Sequence, residues 1–195
     1  MIRNYLFTAA LLAVTTLSGC ASTPKSNFYT LSSGVGLERS EAKAQYTVAV
    51  GPLTVPEIID RPQIVTRSSP TQVQIAEFER WASPVRSEIS RAIADDLTQQ
   101  LDGAYVYVYP QIVVASADYQ VLLEVQRFDS KPGDAVTVEA LWTVHPAQGG
   151  AVKNGRSVAH EATKGDSYDA LVAAYSRALM SVSRDIAEAI RSTRQ

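Results

Sequence analysis

The side chains able to bind a metal ion or attack a substrate are few in this 195-residue chain. Cys20 is the only cysteine, and His145 and His160 are the only two histidines. A zinc site needs about four converging His, Cys or carboxylate ligands. The two histidines lie in or beside predicted strands and could meet across a hairpin, but exposed sheet histidines are the more common alternative. We therefore assign no metal and no cofactor.

Motifs for catalysis are also missing from the sequence. No G-x-S-x-G elbow for a serine nucleophile occurs, and Gly149-Gly150 lacks the Lys-Ser/Thr pair that follows a phosphate-binding loop. Asp95 and Asp96 are adjacent on a predicted helix, where successive side chains diverge by about 100 degrees. Asp95 lies four residues after Arg91, which predicts a solvated ion pair. We predict that the chain is not an enzyme and has no catalytic residues.

The one cysteine lies at the end of an apolar leader. Arg3 is followed by a largely apolar run from Tyr5 to Leu17, and a run of about 13 residues is shorter than the roughly 20 that cross a bilayer. Such a run is typical of a secretion signal. It ends in a segment similar to the lipobox at which bacterial lipoproteins are cleaved and acylated, namely Leu17, Ser18, Gly19 and Cys20. Residues 1–19 are thus predicted to be the leader and Cys20 the lipid attachment site, the alternative being an ordinary signal cut elsewhere.

Acylation at Cys20 would hold the protein at a membrane. Two or more acyl chains give stable anchoring, because each buried methylene contributes about 0.8 kcal/mol. Ala21 and Ser22 lack the aspartate that tends to retain enterobacterial lipoproteins at the inner membrane, so resemblance to that sorting rule implies the outer membrane, facing the periplasm.

The net charge of −2 becomes one unit more negative without the leader, which holds Arg3 and no acid. Nothing in this balance favours nucleic acid as a partner.

Two amphipathic helices are predicted from apolar spacing. The first begins at Ser83 as its cap, with Pro84 at the first helical position and Gly103 after its end. Its apolar stripe recurs every four residues, while four charged residues lie off the stripe: Arg86, Glu88, Arg91 and Asp95. The second helix is predicted from Tyr168 to Arg191, capped by Ser167.

Alternating apolar residues predict the strands. They cover 46–50, 63–67, 71–75, 105–109, 118–128, 136–144 and 151–161, with a short strand at 28–31 inside a tether of residues 20–45. The strands at 63–67 and 71–75 are predicted to form a hairpin, and Lys131-Pro132-Gly133-Asp134 is predicted to join the next antiparallel pair. Asn154-Gly155 could interrupt the last strand as a turn or bulge. Residues 46–195 are thus predicted to form a single layered α/β domain with a mixed sheet of about six or seven short strands and two long amphipathic helices.

Exposed apolar surface would indicate a partner or a lipid. Tyr105, Tyr107 and Tyr109 form a row on one strand face, for which half-buried packing is favoured over an interface. Trp81 is predicted to pack the preceding loop against the first helix.

Several segments in order resemble one known family. They are LSGC at 17–20, FYTL at 28–31, the loop from Val50 to Arg67, the stretch from Glu79 to Leu101, VQRFDS, VEALWTV and SYDALVAAY. Together they cover nearly all of the mature chain and resemble the auxiliary lipoproteins of ABC-type transport systems. The resemblance implies an outer-membrane lipoprotein with two partners, a periplasmic MCE-domain protein and an inner-membrane complex of ABC permease and ATPase. Together these components move lipids or other hydrophobic molecules. The Asp60-Arg61-Pro62 form of the loop departs from the best-known member, which favours another branch with a different MCE partner.

The loop from Val55 to Arg67 is the candidate partner-binding segment. Its prolines restrict the free chain and so lower the entropy lost on binding. The candidate contact residues are Pro56, Glu57, Arg61, Pro62 and Trp81. In the alternative the prolines only shape a tight crossover and Arg61 pairs with Asp60 or Glu57.

Two other functions stay open at this point. The domain could itself carry a lipid in a pocket between helix and sheet, and an envelope hydrolase is the least favoured hypothesis. A homo-oligomeric ring around an MCE channel is compatible with the sequence, which determines no symmetry.

Overall fold

The computed structural model describes residues 24–33, 45–110 and 116–194. The predicted leader and lipobox, including Cys20, lie outside these residues. The described part contains eight strands, a short 3-10 helix and two α-helices. The strands are β1 (Asn27–Tyr29), β2 (Tyr46–Thr54), β3 (Gln63–Ser69), β4 (Gln72–Trp81), β5 (Ala104–Val108), β6 (Tyr119–Ser130), β7 (Ala135–Pro146) and β8 (Lys153–Ala162). The 3-10 helix is Glu57–Ile59, and the α-helices are α1 (Val85–Gln100) and α2 (Tyr168–Thr193).

The predicted mixed α/β class is confirmed, but the strands divide between two sheets. The five-stranded sheet has the order β5-β2-β6-β7-β8, in which β2 is parallel to both β5 and β6 and the other pairs are antiparallel. The three-stranded sheet has the order β1-β4-β3, with β1 parallel and β3 antiparallel to β4. Both predicted hairpins are present. The prediction of one sheet was wrong because alternation gives each strand a buried face but does not assign it a neighbour.

Helix α2 closes the core with the predicted apolar stripe. Its cap is Ser167, whose hydroxyl oxygen accepts the Ala170 N–H at 3.1 Å, as predicted. The helix packs against α1, β7 and β8. All six stripe residues are buried: Leu171, Tyr175, Leu179, Val182, Ile186 and Ile190.

Helix α1 begins one position later than predicted. Pro84 occupies the cap position without a side-chain capping bond, and Ser83 does not cap the helix. The backbone N–H groups of Ser87 and Glu88 donate to the Pro84 carbonyl at 2.8 and 3.1 Å. Pro84 itself has an extended backbone, with a ψ of 132°, so the first helical residue is Val85 and not Pro84. Gly103 lies two residues after the C-cap Leu101 with a φ of +68°, which agrees with its predicted place after the helix.

Aromatic rings join the two sheets to α2. The rings of Phe128 and Tyr175 stack with centroids 3.9 Å apart and an interplanar angle of 4°, and the Trp81 ring lies 6.2 and 6.3 Å from them. The Tyr175 hydroxyl donates to the Phe128 carbonyl at 3.0 Å. Burial raises the pKa of Tyr175 well above its ordinary value. A strand from each sheet and one helix therefore meet in a single core.

Asn154 and Gly155 continue strand β8 and form neither turn nor bulge. They pair with Thr143 and Trp142 of β7. A Cβ atom on Gly155 would lie 2.0 Å from the Trp142 ring. The indole N–H of Trp142 donates to the Ser157 hydroxyl at 3.0 Å, so the glycine makes room for a ring that is fixed at its far edge.

Strands β2 and β6 are tied at their start by a polar pair. Asp118 accepts hydrogen bonds from the backbone N–H and the hydroxyl of Thr47 at 2.7 and 2.8 Å. The Asp118 N–H donates in return to the Thr47 hydroxyl oxygen at 2.9 Å. The two bonds from Thr47 hold the pKa of Asp118 below its ordinary value.

Candidate partner-binding site

The N-terminal segment that the sequence predicted to be tether is in part a strand of the domain. Strand β1 pairs with β4, and the Glu79 carboxylate accepts hydrogen bonds from the Asn27 amide at 3.1 Å and the Tyr29 hydroxyl at 2.5 Å. Leu31 is buried, and its backbone N–H donates to Glu88 Oε2 at 2.9 Å. Residues 27–31 are therefore packed onto the folded domain.

Glu88, which lies off the predicted apolar stripe of α1, is fully buried. Its carboxylate lies between the Leu31 N–H and the Arg91 guanidinium, whose Nη2 is 2.5 Å away. Arg91 thus pairs with Glu88, and the predicted pair with Asp95 was wrong. The N-terminal segment covers this side of α1, and the local helical pattern carries no sign of a partner 57 residues earlier in the chain.

The loop before β3 borders a small groove at the start of α1. We call it the loop groove, and its volume is about 270 Å³. It is lined by Asp60, Arg61, Pro62, Trp81, Ala82, Ser83, Pro84 and Val85. The groove thus brings together three of the five predicted partner-binding residues, namely Arg61, Pro62 and Trp81.

The other two predicted residues lie beside the groove without lining it. Pro56 is half-buried and precedes the 3-10 helix, which begins with exposed Glu57. Ile59 is buried and fixes this turn to the core, whereas Ile58 is 44% exposed. Ile58 was missed by the sequence analysis, since no pattern in a single turn tells which isoleucine faces out.

Charged side chains complete the loop groove. Asp60 pairs with Arg86 of α1, so Asp60 is bound to the helix and is not the partner proposed for Arg61 in the crossover hypothesis. The Nε atom of Arg61 is buried, and no acceptor among the described residues contacts it. Trp81 is only 5% exposed, which makes it the floor of the groove and a support for the loop.

A wider cleft opens between the β3–β4 and β6–β7 hairpins. Its volume is about 710 Å³. Arg67 and Arg127 share the Asp129 carboxylate at 2.9 and 3.1 Å. Lys131 pairs with Asp134 at 3.0 Å on the same rim. This basic cleft has no signature in the sequence because its residues come from two separate hairpins.

The two histidines lie far apart in the five-stranded sheet. His160 contacts Thr137 at 3.0 Å, and His145 pairs with Gln120. Thr137 and His145 lie eight positions apart on β7, which corresponds to about 26 Å along a strand. Among the described residues no group of three or more His, Cys, Asp or Glu is placed to hold a metal ion.

The tyrosine row, which lies on edge strand β5 and on the residue that follows it, is only partly buried. Tyr107 is 8% exposed, and burial raises its pKa. Tyr105 and Tyr109 are 44% and 49% exposed. The row thus combines one packed ring with two solvent-facing rings. None of the helices in the described part of the chain is long and apolar enough to cross a membrane.

Comparison with known proteins gives one family and two curated relatives. The sequence pattern of the family described as "ABC-type transport auxiliary lipoprotein component" matches residues 29–187. The "Intermembrane transport lipoprotein PqiC" of Escherichia coli K12 is 26% identical over 173 residues, which is 88% of each chain. The protein of the same name from Shigella flexneri matches to the same extent.

Solved structures share the fold at lower sequence identity. A crystal structure of an uncharacterized protein superposes with a TM-score of 0.70 at 20% identity, covering 86% of this chain and 99% of the other. A Xanthomonas campestris protein superposes with a TM-score of 0.62 at 18% identity, covering 82% and 92%.

Proposed function

The chain belongs to the family of ABC-type transport auxiliary lipoprotein components, and we propose that it is the outer-membrane adaptor of an intermembrane lipid transport system. In this role it docks a periplasmic MCE-domain protein, which receives its cargo from an inner-membrane ABC permease and ATPase complex. The family is one of envelope transport lipoproteins and not a family of enzymes. The family match across residues 29–187, beside PqiC relatives aligned over 88% of the chain, carries the proposal.

Cys20 is the proposed anchor of the adaptor. The apolar leader ends at this cysteine, and multiple acylation there would hold the domain at the outer membrane on its periplasmic face. A Cys20→Ala variant is then expected in the soluble fraction, whereas the parent protein stays with outer-membrane vesicles. A variant that remains membrane-bound would contradict the anchor.

The loop groove is the proposed docking site for the MCE-domain protein. The 3-10 helix presents Ile58 and Glu57 to solvent while Ile59 and Trp81 hold the loop in place, so little order is lost on binding. The buried Nε of Arg61 offers a hydrogen bond to an incoming acceptor. An apolar contact beside a desolvated donor is the arrangement that gives a small interface most of its affinity.

Pull-down with an MCE-domain protein from the same organism tests the docking site. We expect Ile58→Ser and Arg61→Ala each to weaken binding by about tenfold, which corresponds to a loss of about 1.4 kcal/mol. Val158→Ser is the matched control, because Val158 is 52% exposed on β8 of the other sheet. Equal binding by all three variants would show that the loop groove is not part of the interface. Absence of binding by the parent domain would contradict the adaptor role. Lipid that co-purifies with the domain in native mass spectrometry would instead favour a carrier.

A further inference from the structure

The outer face of the three-stranded sheet carries four exposed apolar side chains. The exposed fractions are 65% for Phe28, 38% for Val73, 41% for Ile75 and 36% for Phe78. Soluble domains scatter single apolar residues over their surface, but a contiguous group indicates a contact. We refer to these four residues as the hairpin face.

Strand register places the four side chains on the same side of the sheet. Phe28 pairs with Arg80, and the adjacent pair of Tyr29 with Trp81 points into the core, so Phe28 and Arg80 point outward. Phe78 is two residues from Arg80 on β4 and shares its side.

A bulge in β4 brings the remaining two residues to that side as well. Gln63 pairs with Arg80 and Val65 pairs with Ile75, so a separation of two positions on β3 faces a separation of five positions on β4. Gln63 and Val65 are two residues apart and therefore point to the same face of the sheet. Paired residues share a face, so Ile75 points to the same face as Arg80. Val73 lies two residues further along.

The direction of β1 shows where the chain from Cys20 arrives. Strand β1 is parallel to β4, with Asn27 opposite Glu79. The chain that precedes Asn27 therefore enters from the side of the β3–β4 turn, toward which β4 extends back from Glu79 to Gln72. Strand β1 therefore begins on the side of the domain that carries the β3–β4 turn.

The length of this chain limits the distance between the hairpin and the membrane. Asn27 lies seven positions after Cys20, which corresponds to at most about 25 Å. Gln72 and Glu79 are likewise seven positions apart on β4, which corresponds to at most about 23 Å. Measured from the level of Asn27 and Glu79, the β3–β4 hairpin thus extends about as far as the chain that leads back to Cys20 can reach.

From these observations we propose that the hairpin face lies on the phospholipid leaflet in which Cys20 is anchored. The inference rests on the proposed acylation of Cys20. Arg67 pairs with Val73 and Arg80 pairs with Phe28, so both cations lie beside the face and would meet phosphate groups, while Asp129 neutralises part of the charge of Arg67. The loop groove lies at the Pro62 and Trp81 end of the same sheet, at the opposite end from the β3–β4 turn.

Site-specific fluorescence in the anchored lipoprotein tests the proposal. The only native cysteine is Cys20, which acylation blocks, so Phe28→Cys or Ile75→Cys can each carry an environment-sensitive dye. The processed lipoprotein is reconstituted in phosphatidylethanolamine and phosphatidylglycerol vesicles that contain a nitroxide-labelled lipid. Residues that lie about 5–10 Å into the interfacial region are within reach of the quencher. We expect both dyes to lose most of their emission, and a dye on Val158→Cys to retain it.

A second measurement uses the unacylated protein, so that the face is tested apart from the anchor. In the Cys20→Ser chain, Phe28→Ser with Phe78→Ser is expected to weaken sedimentation with the same vesicles by about tenfold, and Val158→Ser to leave it unchanged. Anchored protein without quenching at positions 28 and 75 would overturn the proposed face but leave the anchor in place. Protein that fails to float with vesicles at all would overturn the anchor and the face together. Dye emission that changes with the number of protein molecules per vesicle, and not with the quencher, would mean that a second copy of the chain covers the face. This result would also overturn the proposal.

Discussion

Replacing Glu88 by alanine is expected to release the N-terminal segment from the domain. The carboxylate is fully buried and accepts the Leu31 N–H at 2.9 Å. Without it a buried N–H loses its partner, which costs about 1–3 kcal/mol. The lost pair with Arg91, whose side chain is 44% exposed, adds at most about 1 kcal/mol. We therefore expect residues 27–31 to open about 2–3 kcal/mol more easily.

Glu88→Gln is the matched control for this prediction. Its amide oxygen can still accept from Leu31, so only the ion pair with Arg91 is lost and the cost is at most about 1 kcal/mol. Hydrogen exchange measured on peptides that cover residues 27–33 reports the local opening directly. Glu88→Ala should accelerate exchange at Leu31 by about 30- to 150-fold, and Glu88→Gln by less than about sixfold.

Release of this segment would also lengthen the anchor. The first strand would then begin at Tyr46 of β2, 26 positions after the proposed anchor Cys20, instead of at Asn27 of β1, 7 positions after it. The reach would rise from about 25 Å to about 90 Å. Equal exchange rates at Leu31 in the alanine and glutamine variants would refute the reasoning, because they would show that the buried carboxylate does not hold the segment.

Three further predictions concern the core and the edge of the sheet. Gly155→Ala places a Cβ 2.0 Å from the Trp142 ring, so urea unfolding should show a loss of about 1–3 kcal/mol in unfolding free energy. The double variant Gly155→Ala with Trp142→Leu should recover most of this loss. A full loss in the double variant would contradict the clash. Tyr175→Phe keeps the ring stack but leaves the Phe128 carbonyl without its hydroxyl donor, which should cost about 1–2 kcal/mol of unfolding free energy; an unchanged midpoint would argue against that bond. Asp118 has a lowered pKa because of its bonds from Thr47, so its contribution is complete above the ordinary pKa and is lost as pH falls through the lowered value. Asp118→Asn should therefore be less stable than the parent by about 1 kcal/mol at pH 7. The difference should shrink as pH falls through the lowered pKa of Asp118, and a difference independent of pH would exclude this linkage.

The sequence predicted the elements that depend on local pattern. Both α-helices, the cap at Ser167 and the two hairpins were found because apolar spacing, capping residues and turn residues act over a few positions. The family match likewise depends on the order of segments along the chain, which the sequence contains in full.

The candidate site was only partly predictable. Arg61, Pro62 and Trp81 were identified and lie together in the loop groove. Ile58, Asp60 with Arg86, and the basic cleft were not assigned, because each depends on which side chains the folded core leaves exposed. Burial of Trp81 against Phe128 and Tyr175 is likewise a property of the packed sheets.

By itself the sequence determined the α/β class and the family, and it predicts a leader that ends at Cys20, since these follow from composition and from short-range order. The tertiary structure alone decided that β1 belongs to the domain, that Glu88 is buried, and that Phe28, Val73, Ile75 and Phe78 share one face. Each of these depends on pairing between residues about 50 positions apart or on a bulge that resets strand alternation. Local sequence patterns cannot specify such pairings, because the partner and the register are chosen by packing of the whole domain.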